Sequence, residues 1–223
     1  MAELIKAKEP FRFYTRLHLT ELTGLRACNL SQLSGLLKEA PDSCVYYHTH
    51  RFLQQYQYLF PGPPNDFAYW VSEILGEDKL GERLSSIDII QFSSLGELRE
   101  KFVTTIEDYL NDFPVAKLKF CGEEEVFHFM KSVSFVIPTN FTASNLVEFR
   151  EVLNKITLES IYFHIFEARL RFKKPTNDFS HWIDTSLGDK ELAGSISKLD
   201  PYAYTLNDLR IALVHLVENR ILN

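Results

Sequence analysis

No stretch of the chain is apolar for long enough to cross a membrane, and the opening residues, MAELIKAKEP, lack the apolar core of a secretory signal. Cysteine is scarce: Cys28, Cys44 and Cys121 are an odd set, which argues against a disulfide framework and for a reduced, cytoplasmic setting. Phosphate loops, GxGxxG, GxSxG, HExxH, EF-hand loops and paired CxxC are all missing, which removes the enzyme classes that such motifs announce. Excess positive charge is also missing. The net charge is −6 with the two signs interspersed, so no phosphate-tracking surface is expected and neither nucleic acid nor membrane is an expected partner. Low-complexity tracts are absent, while 45% hydrophobic content and 18 Phe supply a core.

What the chain does have is a duplication. NDFAYWVSEILGEDKLGERLSSID, beginning at Asn65, returns as NDFSHWIDTSLGDKELAGSISKLD, beginning at Asn177. Asp66, Phe67, Trp70, Gly76 and Leu80 recur as Asp178, Phe179, Trp182, Gly188 and Leu192. Upstream, Phe11, Phe13, Asn29, Tyr46 and His48 recur as Phe127, Phe129, Asn145, Tyr162 and His164. Downstream, Leu95, Leu98 and Arg99 recur as Leu206, Leu209 and Arg210. The division this suggests is a first repeat unit 1–110, a solvated linker 111–126 and a second repeat unit 127–223, with the two units free to pack as one globular body.

Helical spacing dominates each copy. Phe67, Trp70, Val71, Ile74 and Leu75 form an apolar stripe behind Asn65 and Asp66, with Gly76 as the stop. Leu30, Leu33 and Leu37 follow Asn29, and Ser94 and Thr205 stand where they cap the final helix of each unit. The unit starts, FRFYTRLHL and FHFMKSVSFVIP, alternate enough to admit a short strand. The expected fold class is therefore mostly α, all-alpha apart from that strand, with two homologous helical repeats in a pseudo-twofold arrangement.

Chemistry has few places to sit. His48 and His164 lie on apolar helix faces, where an imidazole needs a hydrogen-bond partner. Asp66 and Asp178 are the repeated candidates, because one residue of each Asn–Asp pair can cap while the other reaches the His. The functional reading is a catalytic or metal-binding His/Asp site built from His48, Asp66, His164 and Asp178. The structural reading is a bond that orders the turn between two helices; two ligands per copy fall short of the usual metal set. His50 points away from His48 at ordinary helical spacing and reads as exposed or partly buried. Cys44 and His48, one turn apart, permit a nucleophile and base, with Ser160 and His164 as the matching pair. Trp70 and Trp182 read as packing residues. Arg99 and Arg210 are expected to pair with Asp88 and Asp200.

The copies differ most in the loops ahead of the NDF helices. The first is filled by Tyr56, Tyr58 and Phe60, and the second gathers Arg169, Arg171, Lys173 and Lys174. Those four cations are the expected partner or anion surface.

The run YYHTHRFLQ…PPNDFAYWVSEILG…SLGELR, followed by SIYFHIFEARLR…PTNDFSHWI…LNDLR, resembles a prokaryotic family known only as a domain of unknown function. That resemblance implies a small, soluble cytoplasmic protein and carries no activity to transfer. The leading expectation is a non-catalytic interaction or regulatory protein that binds a protein partner, or a small ligand, through the two loops, with no cofactor. The alternative is a metal-binding protein or enzyme using the His/Asp set. A weaker one is a small-anion sensor using Arg99 or Arg210 and the basic loop.

Overall fold

Two long strands run through this fold. In the computed structural model, which describes residues 5–52, 63–172, 176–199 and 205–222, β1 (Phe11–Ala27) and β2 (Phe127–Ala143) are 17 residues each. They pair antiparallel as a two-stranded sheet. The fold is α+β, which corrects the expectation of a mostly α chain with short strands. The reason is physical. Apolar alternation marks a strand only where one face is buried. Phe127 and Phe129 are buried, but residues 134–138 are exposed without a break, so alternation admits a strand at its start and cannot show that it runs on to Ala143. Pro138 fits there because both strands of a two-stranded sheet are edge strands, with backbone N–H groups that need no ladder partner.

Helices follow each strand in the same order. After β1 come α1 (Leu30–Glu39), α2 (Asp42–Tyr46), α3 (Asp66–Tyr69), α4 (Asp78–Ser85) and α5 (Leu95–Asp112). After β2 come α6 (Leu146–Leu153), α7 (Leu158–Tyr162), α8 (Asp178–Trp182), α9 (Lys190–Ser197) and α10 (Leu206–Leu222). Four of these run directly into π turns: α2 into Tyr47–Arg51, α3 into Trp70–Ile74, α7 into Phe163–Glu167 and α8 into Ile183–Leu187. π turns are rare, and here each occurs at the same place in both repeats to within one residue. After its π turn α7 resumes as Ala168–Phe172.

The caps follow from the sequence. Asn29 accepts from Gln32 N–H, Asn145 from Glu148 N–H, Ser94 from Glu97 N–H and Thr205 from Asp208 N–H. Asn65 and Asn177 do more. Each caps its helix and, through Nδ2, donates to a carbonyl at the far end of the next helix, Leu84 or Ile196. Gly188 ends its π turn at φ 74°, left-handed backbone that a residue with a Cβ adopts only with strain.

Contacts divide the chain into two compact units, and the division cuts both strands. One unit is His18–Val133. The other joins Met1–Leu17 to Ser134–Asn223. The 1–110 and 127–223 boundaries follow the repeat in sequence; the contact units follow where the strand ends dock. In the unit His18–Val133, Phe127 and Phe129 pack among helices of the first repeat: Phe127 meets Phe67 and Trp70, and Phe67 meets Phe102. In the other unit, Phe11 meets Phe149, Phe179 and Trp182, and Phe13 stacks on Phe149. A fully buried Phe contributes about 1.5–3 kcal/mol by transfer alone, so these rings anchor the strand ends.

The connector between the repeats is structured. Pro114–Leu118 and Glu123–Glu125 are 3-10 turns, Ala116 is buried, and Lys119 reaches Glu77 at 2.9 Å.

Candidate functional site

Each unit contains one His/Asp pair. In the unit His18–Val133, His48 Nδ1 lies 2.7 Å from Asp66 Oδ2, and His48 Nε2 accepts the Met130 N–H at 2.9 Å. In the other unit, His164 Nδ1 lies 2.6 Å from Asp178 Oδ2, and Nε2 accepts the Tyr14 N–H at 2.8 Å. An acceptor Nε2 places the proton on Nδ1, which then donates to the carboxylate. Each imidazole is thus a clasp: it ties the first residue of an NDF helix to a strand N–H turned away from the partner strand.

Aromatic rings close around both clasps. His48 touches Phe67, Phe127 and Phe129, and His164 touches Phe11, Phe13 and Phe179. Burial lowers the His164 pKa from its ordinary value, overriding the opposing pull of Asp178, while nearby Arg171 adds to the lowering. A neutral ring with both nitrogens engaged has no lone pair left for a metal. Among the described residues, no group of three or more His, Cys, Asp or Glu is placed to hold one.

Cys44 is completely buried, and burial raises its thiol pKa, the opposite of what a nucleophile needs. Its counterpart Ser160 donates to the Tyr14 carbonyl at 2.6 Å, a second tie from α7 to β1. Trp70 and Trp182 pack in the core, each indole N–H donating to the backbone just ahead of a strand: Glu125 O at 2.7 Å and Glu9 O at 2.8 Å.

The arginines are placed differently from the sequence expectation. Arg99 pairs with Asp42 at 2.5 Å, not with Asp88, and also donates to Ala40 O at the end of α1. Arg210 donates to Ile156 O beyond the end of α6; Asp200 lies outside the described residues. Both cap a helix C-terminus, where orphan carbonyls and the dipole favour a cation.

Of the basic surface, Arg169 donates to Ser197 O at 3.2 Å, while Lys173 and Lys174 lie outside the described residues, as do Tyr56, Tyr58 and Phe60. Arg171 bonds Asp178 and lies over the Phe163 ring, 3.9 Å from its centroid. It borders an open cleft of about 550 Å³ in the unit that contains the second repeat's helices. Phe11, Tyr14, Phe163 and Trp182 supply the cleft's aromatic walls, with His164 and Asp178 between them and Arg12 and His181 at the rim. Arg12 is exposed and forms no ion pair with any described residue.

Sequence reasoning missed Arg12, because nothing in the pattern links a strand residue at the start of the chain to α8. It also missed a stack of rings in the unit His18–Val133. His50 is buried, not exposed, with its ring parallel to Tyr46 at 5.6 Å, and Tyr46 stacks in turn on His18 at 5.4 Å. The π turn puts both His48 and His50 inside, which ordinary helical spacing does not. A third omission is the Arg16–Glu167 ion pair, 2.5 Å long with the Glu167 side chain 2% exposed. The corresponding residues of the other repeat are Ser132 and Arg51, and that joint change, one charge lost and the other reversed, was the available signal.

A family model described as Family of unknown function (DUF5752) matches residues 8–218. The chain belongs to that family. It is similar to a solved structure, OrfY from Thermoproteus tenax, at 29% identity, with 97% of this chain and 98% of that one covered and a TM-score of 0.82. A search of curated proteins gave no match. No described helix of this DUF5752 member is long and apolar enough to cross a membrane.

Proposed function

We propose that this family member is a non-catalytic binding protein whose second-repeat cleft receives an acidic segment of a protein partner. The observation that supports the reading is the pairing of Arg12 and Arg171 around an aromatic-walled cleft. Arg171 is held in place by Asp178 and Phe163, so little side-chain entropy is lost when a carboxylate meets it; Arg12 is a cation with no ion-pair partner among the described residues. The neighbouring Lys173 and Lys174 extend the positive charge along the sequence. Asp178 neutralises part of Arg171, so Arg12 carries most of the discrimination.

The His/Asp pairs serve this reading as supports. They fix α8 and β1, the two elements that carry the arginines' surroundings, and take no part in chemistry.

The test is a titration with a fluorescent glutamate-rich peptide, read by anisotropy and by tryptophan emission, since Trp182 lines the cleft. Saturable, salt-sensitive binding that weakens about tenfold or more in Arg12→Glu is the expected result, the loss matching about 1.4 kcal/mol or more. No binding by the wild type, or equal binding by Arg12→Glu, overturns the reading.

A further inference from the structure

The unit His18–Val133 brings two thiols together. Cys28 follows directly on β1, and Cys121 lies in the connector ahead of β2. The Cys121 N–H donates to the Cys28 carbonyl at 2.9 Å. With standard covalent lengths, one such bond keeps the two Cα atoms within about 6.5 Å of each other. A disulfide spans Cα separations of about 4.4–6.8 Å. Both residues are partly exposed, whereas Cys44 is buried. The sulfurs also sense each other: burial first, and then the Cys28 sulfur, push the Cys121 thiol up.

The duplication supplies an internal control. At the end of β2 the same kind of backbone bond runs from Ala7 N–H to Ser144 O, 2.7 Å long. Ser144 is the repeat counterpart of Cys28. The fold therefore needs a chain crossing at each strand end but needs no thiol there. Two cysteines joined by a backbone bond at one crossing, and none at the other, is a feature that packing leaves unexplained.

We propose that Cys28 and Cys121 are a thiol-oxidation site that closes to an intramolecular disulfide when the protein meets a hydroperoxide. The Cys28 thiolate attacks the peroxide's outer oxygen, the O–O bond breaks, and Cys28 becomes a sulfenic acid while the peroxide leaves as an alcohol, or as water from hydrogen peroxide. Cys121 then loses its proton and attacks the Cys28 sulfur, expelling hydroxide that takes up a proton to become water. Two thiols lose two electrons and two protons in all, and one peroxide is reduced. The new bond ties the connector to the strand end. It encloses α1 through α5 in a covalent ring and fixes the connector's contacts, Lys119 with Glu77 and the Glu125 carbonyl with the Trp70 indole.

The experiment treats the reduced, full-length protein with hydrogen peroxide at low protein concentration, then counts thiols after denaturation and maps peptides without reduction. Thiols falling from three to one, with Cys28 and Cys121 in one linked peptide that dithiothreitol releases, is the expected result. The controls are Cys28→Ser and Cys121→Ala, which copy the residues of the sister crossing and so retain the fold, and Cys44→Ser. The first two abolish the linked peptide and the third leaves it. A thiol count that stays at three overturns the proposal, as does a linkage that involves Cys44 or joins two chains. Hyperoxidation of Cys28 without a bridge overturns it too.

Discussion

His164 Nδ1 stands 2.6 Å from Asp178 Oδ2 while the opposite nitrogen of the same ring receives the Tyr14 N–H at 2.8 Å. One neutral imidazole therefore satisfies a helix carboxylate and a strand amide together, and only one tautomer does so. Protonating the ring would turn a second N–H toward the Tyr14 N–H, leaving two donors face to face.

Acid should accordingly loosen this unit. Burial holds the His164 pKa below its ordinary 6.5, so the unfolded chain takes up the proton first as pH falls. Stability from this group is complete above about pH 6.5 and is lost as pH drops through the lower, folded-state value. Thermal unfolding followed from mildly alkaline to mildly acidic pH should show a falling midpoint. His164→Ala should be less stable at every pH by about 2–4 kcal/mol, with a shallower pH dependence. A wild-type midpoint that rises on acidification would contradict the clasp.

Asn65 gives a prediction for the other unit. It is wholly buried, accepts from Ala68 N–H at 2.9 Å and donates to Leu84 O at 3.0 Å. Asn65→Ala removes a cap and leaves a buried carbonyl without its donor, a loss of about 2–4 kcal/mol by urea unfolding. Asn65→Asp keeps the cap but loses the Nδ2 donor and buries a charge, so it should not rescue. Full stability in either variant would mean that the bond to Leu84 contributes nothing.

That double use of Asn was half legible in the sequence. The Asn–Asp pair at the head of both NDF helices showed that two polar side chains were needed where one cap suffices, and the His on the preceding helix supplied a destination for the second. The bond to Leu84 left no trace, because any residue offers a backbone carbonyl. The strands show the same limit more sharply. Phe11, Phe13, Phe127 and Phe129 announced buried strand starts, but solvent-exposed strand carries no periodicity, so the full 17-residue length of each strand was not legible. The repeat also hid which helices each strand end joins. Phe11 corresponds to Phe127 whether it docks on its own repeat or on the other, and only the contacts of Phe11 with Phe149 and Phe179 decide it. Arg12 enters the cleft by that exchange, which is why no spacing in the sequence pointed to it.

The last prediction concerns alkali. Tyr109 on α5 donates its hydroxyl to Glu77, which also receives Lys119 at 2.9 Å. Burial, reinforced by the Glu77 carboxylate, pushes the Tyr109 pKa up to about 12. Burial works to raise Glu77 as well, but the bonds from Tyr109 and Lys119 outweigh it and leave that carboxyl below its ordinary value. For Tyr109 the sign is the reverse of His164. The folded chain keeps the phenolic proton after the unfolded chain has released it. Stability from this bond is complete below about pH 10 and is lost as pH rises toward 12. Tyr109→Phe removes the donor, so it should lower stability at neutral pH by about 1–3 kcal/mol and weaken the decline across the alkaline window. Lys119 holds the same carboxylate from another side, at 2.9 Å. A Tyr109→Phe protein with an unchanged alkaline decline would contradict the share of the Tyr109–Glu77 bond in it.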